Sequence, residues 1–166
     1  MTKLRKAHWE TVYQTKTPDE VSWTQKTPYV SLEFIYDSAI MRNARIIDVG
    51  GGDSLLVDHL LSAGFENITV LDISKKALER AKKRLGERAK NVKWIVSDIT
   101  DFKPKEKYDL WHDRATFHFL TSDKDIETYQ SLVNEYVTNT LIIGTFSKDG
   151  PLKCCGLEIK QYDQDE

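Results

Sequence analysis

The chain has 166 residues, 40% of them hydrophobic, and its 24 Lys and Arg against 26 Asp and Glu leave a net charge of -2. That is enough apolar material for one core and too little length for two ordinary α/β domains, and near-neutrality without a basic block argues against a nucleic-acid partner. No apolar stretch reaches membrane-spanning length, Met1-Thr2-Lys3-Leu4-Arg5-Lys6 leads into no signal core, and the adjacent Cys154 and Cys155 are too few for a metal cluster or a disulfide framework; a soluble, cytoplasmic protein with no membrane partner and no metal is expected.

Residues 3 to 13 are expected to form a short helix with Trp9 and Val12 on one face, broken by Thr17-Pro18-Asp19. A second helix is expected from Thr27-Pro28, with threonine as N-cap and proline at N1, turning Leu32 and Ile35 inward. Residues 44 to 49 read as a buried parallel strand because a short apolar run ends there at a glycine cluster. The next helix, capped by Asp53 or Ser54, carries a core stripe of Leu55, Leu56, Leu60 and Leu61 and stops at Gly64. Strand two spans 68 to 72. Ser74 caps a helix with Leu78, Ala81 and Leu85 on one face and Gly86 as its stop, and strand three follows at 92 to 96. Strand four is expected at 108 to 112, a helix with Ile126, Tyr129, Val133 and Tyr136 inward opens at Ser122-Asp123, and strand five is expected at 140 to 146. Residues 147 to 166 offer no further convincing strand.

Strand and helix alternate with short links and no internal repeat, so the right-handed crossover rule leaves an α/β, doubly wound, mostly parallel sheet. The expected organisation is a single domain over 1–166, with a helical cap at 1–40, a ligand-binding core at 41–146 and a substrate-loop segment at 147–166. The loop Asp48-Val49-Gly50-Gly51-Gly52-Asp53-Ser54 is answered by Asp72 at the end of the next strand, the arrangement by which a βαβ unit holds a nucleoside. A P-loop would need Lys-Ser/Thr after the last glycine, where Asp53 stands, and a dinucleotide fingerprint would need glycine in place of Leu55. The carboxylates of Asp48 and Asp53 also oppose a pyrophosphate at that helix N-terminus, each close like-charge pair costing on the order of 1 kcal/mol or more. Those departures argue against a nicotinamide-dependent oxidoreductase and favour a nucleoside without phosphate; S-adenosyl-L-methionine, with its adenosine, amino-acid tail and sulfonium, meets that requirement.

With those residues in place, the chain resembles the class I, seven-strand, Rossmann-like S-adenosylmethionine-dependent methyltransferases. The glycine loop resembles their D-x-G-x-G-x-G motif with Ser54 at the last glycine. Val70-Leu71-Asp72-Ile73-Ser74 resembles the second motif, whose acid takes both ribose hydroxyls; Ser97-Asp98-Ile99 the third, whose acid meets the adenine amine; and Tyr108-Asp109-Leu110-Trp111-His112-Asp113 the strand-four motif beside the transferred methyl. His8-Trp9-Glu10-x-x-Tyr13 and Val21-Ser22-Trp23 resemble the cap of relatives of the eukaryotic lysine-modifying enzymes. The resemblance implies Trp9, Tyr13, Trp23, Asp48, Gly50, Gly52, Asp72, Ile73, Asp98 and Ile99 as cofactor contacts, S-adenosylhomocysteine as the product, and methyl transfer to a protein lysine or a small-molecule N, S or O acceptor. Asp48 is expected to hold the loop's backbone amides, a role compatible with a water-mediated contact to the methionine ammonium.

His112, Asp113 and His118, clustered after strand four, are the candidate catalytic groups, with Asp113 either orienting the acceptor or pairing with Arg114. Phe146-Ser147 and Gly150-Pro151 lie where the family places a substrate loop. Cys154 and Cys155 read as inert. The family adds two strands beyond the fifth, and their lack here implies a truncated sheet, pairing of two copies through the edge at 140–146 or a longer natural chain, and as an alternative a cofactor-binding but inactive or regulatory relative.

Overall fold

A computed structural model describes residues 2–114 and 116–165. Five parallel strands form one sheet in the order β3-β2-β1-β4-β5: β1 (Arg45–Val49), β2 (Asn67–Asp72), β3 (Val92–Val96), β4 (Tyr108–Arg114) and β5 (Val137–Gly144). Helices α1 (Thr2–Thr15), α2 (Tyr29–Asp37), α3 (Leu56–Ser62), α4 (Lys75–Leu85) and α5 (Asp123–Tyr136) surround it. One face of the sheet packs Ile46, Ile68, Val70 and Leu110 against Leu32, Ile35, Leu56, Leu60 and Leu78 of α2, α3 and α4. The other packs Ile47, Val49, Leu71 and Trp111 against Ile126 and Tyr129 of α5. Both faces of β1 and β2 are therefore covered, which is why apolar residues stand side by side in them at Ile46-Ile47 and Val70-Leu71.

The strand order reverses between β1 and β4, and the crevice above that switch point is where such sheets take their ligands.

Several boundaries differ from expectation for local reasons. Helix α2 starts at Tyr29, because Pro28 holds φ -79 and ψ 70 outside the helical basin and no side chain caps it. In α3 the Ser54 hydroxyl accepts from the Leu56 amide at 3.2 Å, Leu55 lies half-buried at the cap position, and Val57 takes its place in the core. Strand β4 runs on to Arg114, and β5 begins at Val137 directly after α5 and stops at Gly144, so Phe146 lies beyond it. The C-terminal stretch, expected to be irregular, holds a short antiparallel hairpin, β6 (Lys153–Cys154) with β7 (Leu157–Glu158). Cys155 and Gly156 turn it with φ of 54 and 82, the left-handed pair of a type I′ turn.

Candidate active site

The loop after β1 spends its amides internally. Gly50 N and Gly51 N both donate to Leu71 O, at 2.8 and 3.3 Å, and Ser54 N donates to Gly51 O at 2.8 Å. Gly50 and Gly52 adopt φ of 67 and 50; a Cβ on Gly50 would collide with the Thr116 hydroxyl, and one on Gly52 would stand 2.6 Å from the Tyr13 hydroxyl. The turn thus brings backbone close to both the cap and the segment after β4, with the Gly50, Gly51 and Ser54 amides already engaged within the protein.

Asp72 ends β2 almost fully buried, its Oδ1 accepting from Ser74 N at 2.7 Å. Its carboxyl is raised to about 7, chiefly by burial and further by the nearby Asp53 and Asp48, against the lowering pull of the Ser74 and Gly52 amides. Ile73, Ser97, Ile99, Gly50 and Gly51 share the cleft with it. Asp98 lies just behind: Oδ1 accepts from the Thr100 amide and hydroxyl at 3.0 and 2.9 Å, and Oδ2 is 3.1 Å from the Arg5 guanidinium.

Helix α1 presents Arg5, Trp9 and Tyr13 to the cleft at four-residue spacing, one face of a helix. Trp9 stands edge-on to Trp23 and Phe119 at 5.9 and 5.2 Å, and Tyr13 edge-on to Trp23 at 6.5 Å. Burial first, then Asp72 and Asp53, holds the Tyr13 hydroxyl well above the usual phenol range. Arg80 fixes the end of this cap by donating to the Tyr13 and Lys16 carbonyls and pairing with Asp53. Glu10, between the two aromatics, reaches the N-terminus of α4 and accepts from the Lys75 and Lys76 amides at 2.7 and 3.3 Å.

The three residues given catalytic roles from the sequence lie under the cleft rather than in it. His112 is buried, with Nδ1 2.7 Å from Asp48 Oδ1 and Nε2 2.9 Å from the Ser31 hydroxyl, so Asp48 engages β4 instead of the loop amides. Asp113 is fully buried; Oδ1 accepts from the Thr116 and Phe117 amides at 2.9 and 3.2 Å, and Oδ2 from the Tyr129 hydroxyl at 2.8 Å. Burial raises that carboxyl to about 6. The Asp113–Arg114 ion pair does not form, since consecutive strand residues point to opposite faces. His118 is buried between Phe119 and Phe146, at 4.3 and 4.9 Å, and burial holds its imidazole down near 4.

Arg114, by contrast, lines the cleft with Thr24, Gln25, Thr116, Cys154 and Cys155. These, with Arg5, are the site residues the sequence did not single out. Arg5 had a signal, its helical spacing from Trp9 and Tyr13; the cysteines had none, because their hairpin joins the site only through the fold. Gly52, Asp48 and Asp98 support the cleft without lining it.

The doubly wound sheet, with a buried acid ending β2, a glycine turn after β1 and an aromatic cap, is of the Rossmann-like class. Residues 46–136 match the family described as a methyltransferase domain, and the chain belongs to that family. It is 32% identical over 137 residues to malonyl-[acyl-carrier protein] O-methyltransferase 2 of Ilyobacter polytropus, covering 81% of this chain and 51% of that protein. It is 28% identical over 122 residues to EEF1A lysine methyltransferase 2 of Danio rerio, covering 72% and 52%. An S-adenosylmethionine-dependent methyltransferase from Clostridium acetobutylicum has the same fold at a TM-score of 0.62, with 16% identity over 87% of this chain and 57% of that one. The chain thus spans about half the length of these relatives.

Proposed function

We propose that this chain transfers a methyl group from S-adenosylmethionine to a protein lysine or a small-molecule N, S or O acceptor. The observation that carries the reading is Asp72, a buried acid whose raised carboxyl faces the Gly50–Gly52 turn and has no ion pair among the described residues. In this reading Asp72 accepts the ribose hydroxyls, Ile73 and Ile99 flank the adenine with Asp98 behind them, and Trp9, Tyr13 and Trp23 form the aromatic wall whose ring faces attract the cationic sulfur. Gly50 and Gly52 let the chain pass close to the ligand, and Asp48 holds His112 beneath them. When bound, the cofactor supplies a carbon already activated for displacement, so the protein's task is to place an acceptor in line with it. His112, Asp113 and His118 then set the shape of the floor on which the acceptor rests, with Asp113 anchoring the turn to Thr116.

The names of the relatives span an O-methyltransferase and a lysine methyltransferase, and oxygen and nitrogen acceptors both stay within the proposal. A cytoplasmic location and pairing of two copies through β5 are proposed on the same footing, the second from the exposed Leu141 and Ile143.

A thermal shift with S-adenosylhomocysteine tests the cofactor reading. Ligand at a hundredfold excess over Kd adds roughly 2.7 kcal/mol, or on the order of 5 to 10 °C for a chain of this size. Asp72→Ala is expected to remove most of that shift. A wild-type shift with NAD and none with S-adenosylhomocysteine would overturn the reading.

A further inference from the structure

Arg114 ends β4 on the far side of β1 from Asp72, and its side chain lines the cleft. It donates to the Gln25 side chain and to the Trp23 carbonyl at 3.0 Å, and both partners are neutral. The other arginines that frame the site each meet an acid: Arg5 pairs with Asp98 and Asp125, Arg80 with Asp53, and Arg84 with Asp58. Among the described residues Arg114 has no ion pair. Its neighbour Asp113 cannot serve, because it points to the opposite face and both its oxygens are taken. The acids that do reach the cleft, Asp53 and Asp72, belong to the loop after β1 and to β2; strands lie about 4.8 Å apart, so β2 and β4 stand about 10 Å from one another. Gly144, which pairs with Arg114 in register, leaves one flank of the arginine stem uncovered: a Cβ there would already touch Arg114 Cγ at 3.4 Å.

Resting on the methyltransferase reading above, we infer that the acceptor is a carboxylic acid held by Arg114 and that the product is its methyl ester. A guanidinium cannot lose its charge at working pH, and its planar fork matches a carboxylate through two parallel N–H donors. The same charge repels an incoming lysine ammonium.

The chemistry balances without a base. A lone pair of the carboxylate oxygen forms the O–CH3 bond as the CH3–S bond breaks and its electron pair returns to sulfur. One anion and one cation become a neutral ester and a neutral thioether, and no proton is released. An ammonium or thiol acceptor would have to shed a proton, and His112, Asp113 and His118 beside β4 are buried and do not line the cleft.

The experiment incubates the full chain with tritiated-methyl S-adenosylmethionine and a bacterial extract, split into protein and small-molecule fractions. Base hydrolyses methyl esters to volatile labelled methanol and leaves N- and S-methyl groups intact. Base-labile label is expected with the wild type. Arg114→Gln is expected to lower it by about tenfold or more, the scale of one lost charge-assisted pair, with Arg114→Lys between the two. Binding of S-adenosylhomocysteine by calorimetry should stay within about threefold for both variants.

Label that survives base, or no label while S-adenosylhomocysteine binds, overturns the carboxylate acceptor. So does an Arg114→Gln variant that binds S-adenosylhomocysteine poorly but 5′-methylthioadenosine normally, because the guanidinium would then hold the cofactor's own carboxylate. Failure of the wild type to bind S-adenosylhomocysteine at all sinks the underlying methyltransferase reading instead.

Discussion

At the scale of the residue, Asp72 carries a pH dependence with a definite sign. Burial lifts its carboxyl to about 7, so the folded chain keeps a proton there that the unfolded chain has lost above about 3.9. Its contribution to stability is present in full at low pH and is lost as pH rises through 7, and Asp113, raised to about 6, acts in the same direction. Ribose hydroxyls are donors that need the ionised carboxylate, so ligand binding runs the other way. The affinity for S-adenosylhomocysteine is expected to rise by up to about tenfold per unit as pH increases toward 7 and to level off above it. Calorimetry across that range checks this, and Asp72→Asn should both weaken binding and flatten the profile; a wild-type Kd indifferent to pH would remove Asp72 from the ribose. Asp72 was legible in sequence because one strand end and one glycine turn define its place. The partners of Asp113 were not: the strand was expected to stop at His112, and only its run to Arg114 fixes which face each side chain takes and brings Tyr129 to the carboxylate.

Among the elements, the joint that orders the cap is Glu10 at the N-terminus of α4. Two amides that a helix leaves without partners receive a carboxylate there, and the helix dipole favours its charge. The Ser74 hydroxyl contacts the same carboxylate at 3.2 Å while accepting from Ala77 N at 3.2 Å, so both capping groups act on one turn. Glu10→Ala is expected to cost about 1 to 2 kcal/mol, lowering Tm by roughly 2 to 8 °C. Because Glu10 lies between Trp9 and Tyr13, the variant should also weaken S-adenosylhomocysteine binding, whereas Glu79→Ala on the exposed side of α4 should leave binding unchanged. Equal effects of the two on affinity would show that Glu10 is only a surface charge. The helices themselves were readable from apolar spacing and glycine stops. Glu10 was not readable as a cap, because its amides lie more than sixty positions further along the chain and no local pattern marks a side chain that crosses to another element. The start of β5 was missed for a related reason: Val137 leaves α5 without a loop, so no turn residue signals the change from helix to strand.

For the whole molecule, the topology that alternation and handedness imply is the one found, and β5 forms an edge of the sheet among the described residues. In register with Trp111 and Asp113, Leu141 and Ile143 face the side that α5 covers elsewhere, yet they remain 41% and 37% exposed. An eight-residue strand spans about 26 Å of backbone, and its outer N–H and C=O groups are a template for another strand. Pairing of two copies about a twofold axis would make this contact antiparallel and self-complementary, joining two sheets into one continuous layer and covering both leucines and both isoleucines at once. Light scattering is therefore expected to show the average mass rising from one chain toward two as concentration increases. Ile143→Lys should hold the protein at one chain, since a charge on an edge strand blocks strand addition, while S-adenosylhomocysteine binding at the opposite flank of the cleft stays intact. A wild type that remains a single chain at every concentration would refute pairing through β5. A dimer that Ile143→Lys leaves untouched would place the contact elsewhere, with the exposed Tyr29, Val30 and Phe34 of α2 as the next apolar surface to substitute.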